Sequence, residues 1–221
     1  MAGSTPAPST RHKNLHMQAI GFNEHYRLQT LVFEKIKTKT RRTEQLSLLE
    51  GLTEDDFWFG IVDGKKQIQL YDSNPGPEII MPRYNIGEVV AVRQCYRDII
   101  CQLPDRQKEY VIGYYSGSKA WTNKMFVRPD LMPRHIRITD VDLQRLQSIS
   151  DEDCMKEGVL KKSSFPKKKS FQYYFAGGKH EWDNSFSTPR KAFAALIDKI
   201  SGKGTWERNP WVFAYSFELI D

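Results

Sequence analysis

Five cationic side chains, Lys35, Lys37, Lys39, Arg41 and Arg42, fall within eight residues, with hydroxyls at Thr38 and Thr40 between them. Cations at this density can neutralise phosphates, which gives affinity for nucleic acid with little base selectivity. Trp58, Tyr96 and Trp211 are aromatic groups able to stack on a base, although the pattern around Trp211 directs it towards a core. Part of the cluster also has a purely structural explanation, because cations are favourable at a helix C-terminus. A second cluster, Lys161, Lys162, Lys167, Lys168 and Lys169, flanks Ser163-Ser164-Phe165-Pro166 and reads as a solvated lysine-rich loop.

Other chemistries find little support. Cys95, Cys101 and Cys154 are odd in number and lack C-x-x-C spacing, so neither a zinc site nor a disulfide framework is expected. Their reading is reduced thiols in a cytoplasmic protein. His16, His25, His135 and His180 show no ligand spacing, and no metal or cofactor is expected. The formal net charge of +6 is compatible with a nucleic-acid partner without being diagnostic of one. No apolar run approaches the roughly 18 to 20 residues that span a bilayer, so no membrane partner is expected.

The elements that must position these residues follow from periodicity. Residues 1–15 read as a disordered leader, with Met17 as a potential internal start, and 16–221 as one domain. A helix is expected from an Asn23 cap to about Lys35, buried through Leu28, Leu31 and Val32, with the basic segment as the turn beyond it. Phe57 to Val62 and Gln67 to Tyr71 flank Asp63-Gly64 as a hairpin, followed by a turn-rich connection from Asp72 to Pro77. Val89 to Tyr96 reads as a strand, and Tyr110 to Tyr114 as a further one in an otherwise ambiguous stretch. His135 to Leu143 changes phase near Thr139-Asp140, which implies a bulge. Ser150 caps a short acidic helix ended by Gly158. Glu157 then sits at the negative end of its own helix, where a carboxylate needs a partner. Phe171 to Phe175 forms a strand, Thr188-Pro189 opens a helix buried through Phe193, Leu196, Ile197 and Ile200, and Trp211 to Leu219 closes the chain as a strand. Strands with three short helices between them indicate an α+β fold, a mixed sheet or small β-barrel with peripheral helices.

Four stretches in this order resemble the ASCH family, especially longer members from Bacteroides-type bacteria and their phages. They are Met17-Gln18-Ala19-Ile20 with the following helix and Lys37-Thr38-Lys39-Thr40-Arg41-Arg42, similar to the family's G-R-K-T-x-T-R-R; then Ile86-Gly87-Glu88-Val89-Val90-Ala91-Val92. The third runs from Trp121 through Met132-Pro133-Arg134 to Glu157-Gly158, and the fourth from Gly202 through Trp206 and Asn209-Pro210-Trp211 to the last strand. The chain departs from the family at Val92-Arg93-Gln94-Cys95-Tyr96, where many members have V-R-E-x-W, and at Lys35-Ile36 before Lys37.

The resemblance implies a PUA-like barrel with insertions near 97–119 and 161–184, and a cleft beside the K-T-x-T segment that binds RNA or a modified nucleoside. Lys35, Lys39, Arg41, Arg42 and Arg134 would be its ligand-binding cations. It also implies an alternative, a metal-independent amidohydrolase acting on N-acetylcytidine-like amides with Lys37, Thr40 and Glu157 as its catalytic set. A ribonuclease using the same residues is a third reading. In the hydrolase, Thr40 would be the nucleophile, Lys37 its base and Glu157 the acid. A threonine hydroxyl needs a proton acceptor, and a lysine serves only if its pKa falls from about 10.4 towards neutrality. Neighbouring cations push Lys37 that way and Glu157 pushes it back.

Overall fold

The computed structural model describes residues 17–43, 46–71, 76, 78–165, 168–177 and 185–221. In chain order the elements are β1 (Ala19–Ile20), α1 (Leu28–Phe33), β2 (Lys39–Arg42), β3 (Phe57–Val62), β4 (Lys65–Leu70), β5 (Ile79–Ile80) and β6 (Val89–Val92). There follow α2 (Tyr96–Ile99), α3 (Asp105–Tyr115), β7 (His135–Arg145), α4 (Asp151–Lys156), β8 (Leu160–Phe165) and β9 (Lys168–Tyr174). The chain ends with β10 (Ser185–Phe186), α5 (Pro189–Ser201), α6 (Thr205–Arg208) and β11 (Trp211–Leu219).

β11 lies inside a five-stranded mixed sheet of order β1-β6-β7-β11-β2. Trp211, Phe213, Tyr215 and Phe217 point from it into the main core, while Val212 on the other face meets Phe193, Leu146 and Cys154 in a second core beneath α4 and α5. That two-sided burial explains why the last strand is apolar at nearly every position. β3-β4-β5 and β10-β9-β8 form separate three-stranded sheets, and Phe57 of β3 meets Trp211 edge-on at 5.1 Å. The architecture is therefore α+β, with a mixed sheet and peripheral helices. No sheet closes into a ring among the described residues; the edges β1 and β2 are bridged by a side chain, Arg42 Nη2 donating to the Gly21 carbonyl at 2.6 Å.

Several local expectations match. Asp63 and Gly64 both take positive φ between β3 and β4, as a two-residue hairpin turn requires. In the β7–β11 ladder Ser216 pairs with Asp140 and Phe217 with Ile138, so Thr139 is the extra residue of a bulge. Ser150 and Thr188 accept backbone N–H bonds from Asp153 and Lys191, capping α4 and α5.

Others are corrected. Asn23 accepts from the Tyr26 N–H at 3.4 Å in a turn, and α1 begins only at Leu28, ending before Lys35, whose φ is 59°. The segment Lys39–Arg42 is not a turn: it is strand β2, with Lys39 to Arg42 paired opposite Ser216 to Phe213 of β11. β6 stops at Val92 because its neighbour β1 ends at Ile20, and Tyr96 opens a helix instead. Tyr110 to Tyr114 is helical: within α3 the two rings lie one turn apart with centroids 4.8 Å from each other. The 97–119 region is thus a helical layer with its own core around Tyr96, Ile99 and Val111. The lysine-rich stretch lies on two paired strands, β8 and β9, rather than a loop. The expected leader, residues 72–75 and 77 of the connection, His16, Pro166, Lys167, Gly178 and His180 lie outside the described residues.

The α4–β8 turn is held against α1. Gly158 there has φ 107°, and a Cβ built on it would sit 2.8 Å from Leu28 Cδ2 and 3.2 Å from Leu31 Cδ1. Gly158→Ala should therefore cost about 2–4 kcal/mol through backbone strain and overpacking. Urea denaturation reads this out; a loss under about 0.5 kcal/mol would show that α1 does not hold the turn.

Candidate functional site

Lys37 follows α1 with its backbone N–H bonded to the Leu31 carbonyl, which aims the side chain inward. Its ammonium is 2% exposed and donates to three acceptors: Glu157 Oε2 at 2.7 Å, the Glu157 carbonyl at 2.8 Å and the Lys39 carbonyl at 2.7 Å. Glu157 caps the C-terminus of α4, and its other oxygen accepts from Arg41 Nη1 at 2.9 Å. The partner that its position at the negative end of a helix demands is thus two cations. Arg41 extends from β2 and also donates from Nη2 to Asp153 Oδ2 at 3.1 Å and Gln144 Oε1 at 3.2 Å. Lys39, two residues earlier on the same strand, reaches Asp153 at 2.9 Å.

Three cations and two carboxylates therefore form one cluster, buried at Lys37, Arg41 and Glu157 and half-buried at Lys39 and Asp153. Burial holds the Lys37 pKa below its ordinary 10.5; Glu157 opposes this, while Arg42 and Arg41 add to it. For Asp153, burial raises the carboxyl pKa, but hydrogen bonds and charge from Lys39 and Arg41 outweigh it and the net shift is downward.

Beside the cluster is a pocket with about 170 Å³ open to water. Lys37, Thr40, Arg41, Arg42 and Glu157 form its polar wall. Phe22, Phe193, Leu196 and Ile197 form much of the apolar one. Phe22 separates cations from the core: the Lys37 ammonium is 5.9 Å and the Arg42 guanidinium 6.0 Å from its ring centroid. Arg42 lacks a carboxylate partner among the described residues, so it is the uncompensated cation of this wall. The Nε atoms of Arg41 and Arg42 are buried without an acceptor.

The fold thus brings together Lys37, Thr40, Glu157, Arg41 and Arg42 and leaves out the other expected cations. Lys35 is exposed, Lys39 is turned to Asp153, and Arg134 packs 5.7 Å from the Phe33 ring centroid; none lines the pocket. The Thr40 hydroxyl has no hydrogen-bond partner among the described residues, and the three acceptors of Lys37 do not include it. Tyr96 is buried with its hydroxyl accepting from the Arg128 N–H, and Trp58 is 38% exposed on β3 outside the pocket, so neither supplies a ring to it. Sequence reasoning missed Asp153, which belongs to the first turn of the short acidic helix, and Phe22. It read the α5 stripe as core, yet Ile197 and Ile200 at its outer end line the pocket. Among the described residues no group of three or more His, Cys, Asp or Glu side chains is placed to hold a metal, and no helix is long and apolar enough to cross a membrane.

Glu157→Gln removes the charge shared by Lys37 and Arg41 and should cost about 3–5 kcal/mol in denaturant unfolding; a loss below 1 kcal/mol would mean the pair behaves as a surface bridge. Since the native pKa of Lys37 lies below 10.5, the unfolded chain binds more protons between the two values, and stability rises with pH through that window. The stability of the wild type relative to Lys37→Met should therefore grow as pH approaches 10.5; a shrinking difference would contradict it. Comparison with protein-family models, with curated proteins and with solved structures finds no match to this chain.

Proposed function

We propose that this chain is an ASCH-like, PUA-like module acting in the cytoplasm, and that its pocket binds a modified nucleoside, free or within RNA. The observation that carries the reading is the two-sided wall: fixed charged and hydroxyl groups face apolar side chains across a space open to solvent. A nucleoside has the matching character, with apolar ring faces and a hydrogen-bonding edge. The bridge from Arg42 to Gly21 across the open edges of the sheet fits a barrel opened at the cleft. Most of the basic segment is neutralised internally, which favours a small ligand at this pocket over a run of phosphates.

Hydrolysis of an acylated amine is the second reading, favoured by the lowered Lys37 pKa and by Thr40 on the same wall. In that step Thr40 Oγ attacks the acyl carbonyl carbon and its proton passes to a neutral Lys37 amine. The acyl–nitrogen bond breaks and the leaving amine takes the proton of a Glu157 held as the neutral acid. Water hydrolyses the acyl-threonine to acid and free hydroxyl, and the Lys37 ammonium returns its proton to Glu157. The ground-state geometry opposes this order. All three protons of the ammonium are already donated, and the Thr40 hydroxyl has no contact with the proposed base.

Incubation with N-acetylcytidine and with short single-stranded RNA, without metal, separates the readings. Calorimetry should show N-acetylcytidine binding that weakens roughly tenfold in Arg42→Gln, with no acetate in the proton spectrum. Acetate release abolished by both Thr40→Ala and Lys37→Met would replace binding with hydrolysis, and RNA shortening would establish a ribonuclease. Absence of binding and turnover would remove the assignment.

A further inference from the structure

A second, more open groove, with about 440 Å³ accessible to water, adjoins the first pocket. Thr43, the residue after β2, lines both. The α6 turn joins them a second time, because Arg208 in the groove donates to the Thr205 hydroxyl, which lines the pocket, at 3.0 Å. The groove carries two guanidinium groups, Arg145 and Arg208, and neither is ion-paired among the described residues. Arg145 is fixed in place: it lies 4.4 Å from the Trp211 ring centroid and donates to the Leu52 carbonyl at 2.7 Å and the Asn209 carbonyl at 3.4 Å. A guanidinium held by stacking and by carbonyls, with further N–H groups left over, is pre-organised for an anion. The hydroxyls of Thr43 and Ser47 add donors, and Glu50 is the one carboxylate among the described lining residues.

We infer that this groove is a phosphate subsite for the ligand of the first pocket, so that the protein recognises a nucleotide rather than a bare nucleoside. The phosphate comes either from a free nucleoside monophosphate or from the backbone of a polynucleotide passing over Thr43. The inference rests on the nucleoside reading for the identity of the group beside the phosphate, while the anion site stands on Arg145 and Arg208 alone. Buried, compensated cations hold the first pocket in shape, and those without a carboxylate partner among the described residues, Arg42, Arg145 and Arg208, face what binds. Phosphate oxygens suit such forked donors better than a point charge does.

The test compares four probes by calorimetry at fixed salt: N-acetylcytidine, its 5′-monophosphate, a short RNA containing it, and inorganic phosphate. The monophosphate or the RNA should bind roughly tenfold more tightly than the nucleoside. Arg208→Gln, an exposed substitution, should remove that gain, weakening the phosphate-bearing ligands more than the nucleoside, and Glu50→Gln should increase it. A gain with the RNA alone identifies the backbone as the source; a gain with both admits the free nucleotide. Equal affinities for nucleoside, monophosphate and RNA would overturn the subsite and leave the nucleoside reading standing. No nucleoside binding, with phosphate binding lost in Arg208→Gln, would retain the subsite and overturn that reading. Phosphate-bearing ligands unaffected by both Arg208→Gln and Glu50→Gln would also overturn the subsite.

Discussion

The Lys37–Glu157 pair is the interaction on which the site depends. Both side chains are removed from water, at a desolvation cost of several kcal/mol each that close, multiple contacts offset in part, since burial still holds the Lys37 pKa below 10.5. The contacts are present: every ammonium proton has an acceptor, and each carboxylate oxygen has a cation. The pair links the end of α1 to the end of α4 across 120 residues of sequence. Gly158 then lets the chain leave α4 without displacing Leu28 or Leu31. Arg41 carries the same network onto β2, and β2 is held by β11. Any movement of the pocket's polar wall would therefore disturb the central sheet and both helices together.

This arrangement separates two kinds of cation. Lys37 and Arg41 are committed to Glu157 and Asp153 and act as a rigid wall, which Lys39 braces from outside the pocket through Asp153. Among the described residues Arg42 bonds to a carbonyl and to no carboxylate, and it retains its charge for whatever enters. The density of positive charge along the segment thus overstates the charge offered to a ligand. A wall of fixed dipoles and ion pairs beside apolar rings selects by shape and hydrogen bonding, and one or a few free guanidinium groups add attraction for an anion.

Much of the scaffold was legible because local chemistry agreed with the final fold. The caps at Ser150 and Thr188, the Asp63-Gly64 turn, and the phase change at Thr139 are all short-range signals, and each appears where expected. Tyr110 to Tyr114 misled because its β-favouring residues are held in a helix by packing at Val111 and Tyr115, a tertiary effect invisible to local propensity. The basic segment read as a turn because alternation over four residues is too brief to distinguish a strand from a loop. Glu157 was singled out by an unfavourable helix-end position, and it does find cationic partners. Asp153 escaped notice since a first-turn acid already has a local reason to exist. The pocket's apolar wall combines Phe22, Phe193 and Ile197, residues that only the fold brings together.

The central claim is that the pocket between this wall and α5 receives a modified nucleoside. The most direct measurement is a methyl-detected NMR titration with N-acetylcytidine, following Ile197 and Ile200 at the pocket against Ile68 and Ile99 in the main core and the helical layer. The account predicts saturable shifts at Ile197 and Ile200 with Ile68 and Ile99 unmoved. Shifts confined to other surfaces, or none at saturating ligand, would contradict it.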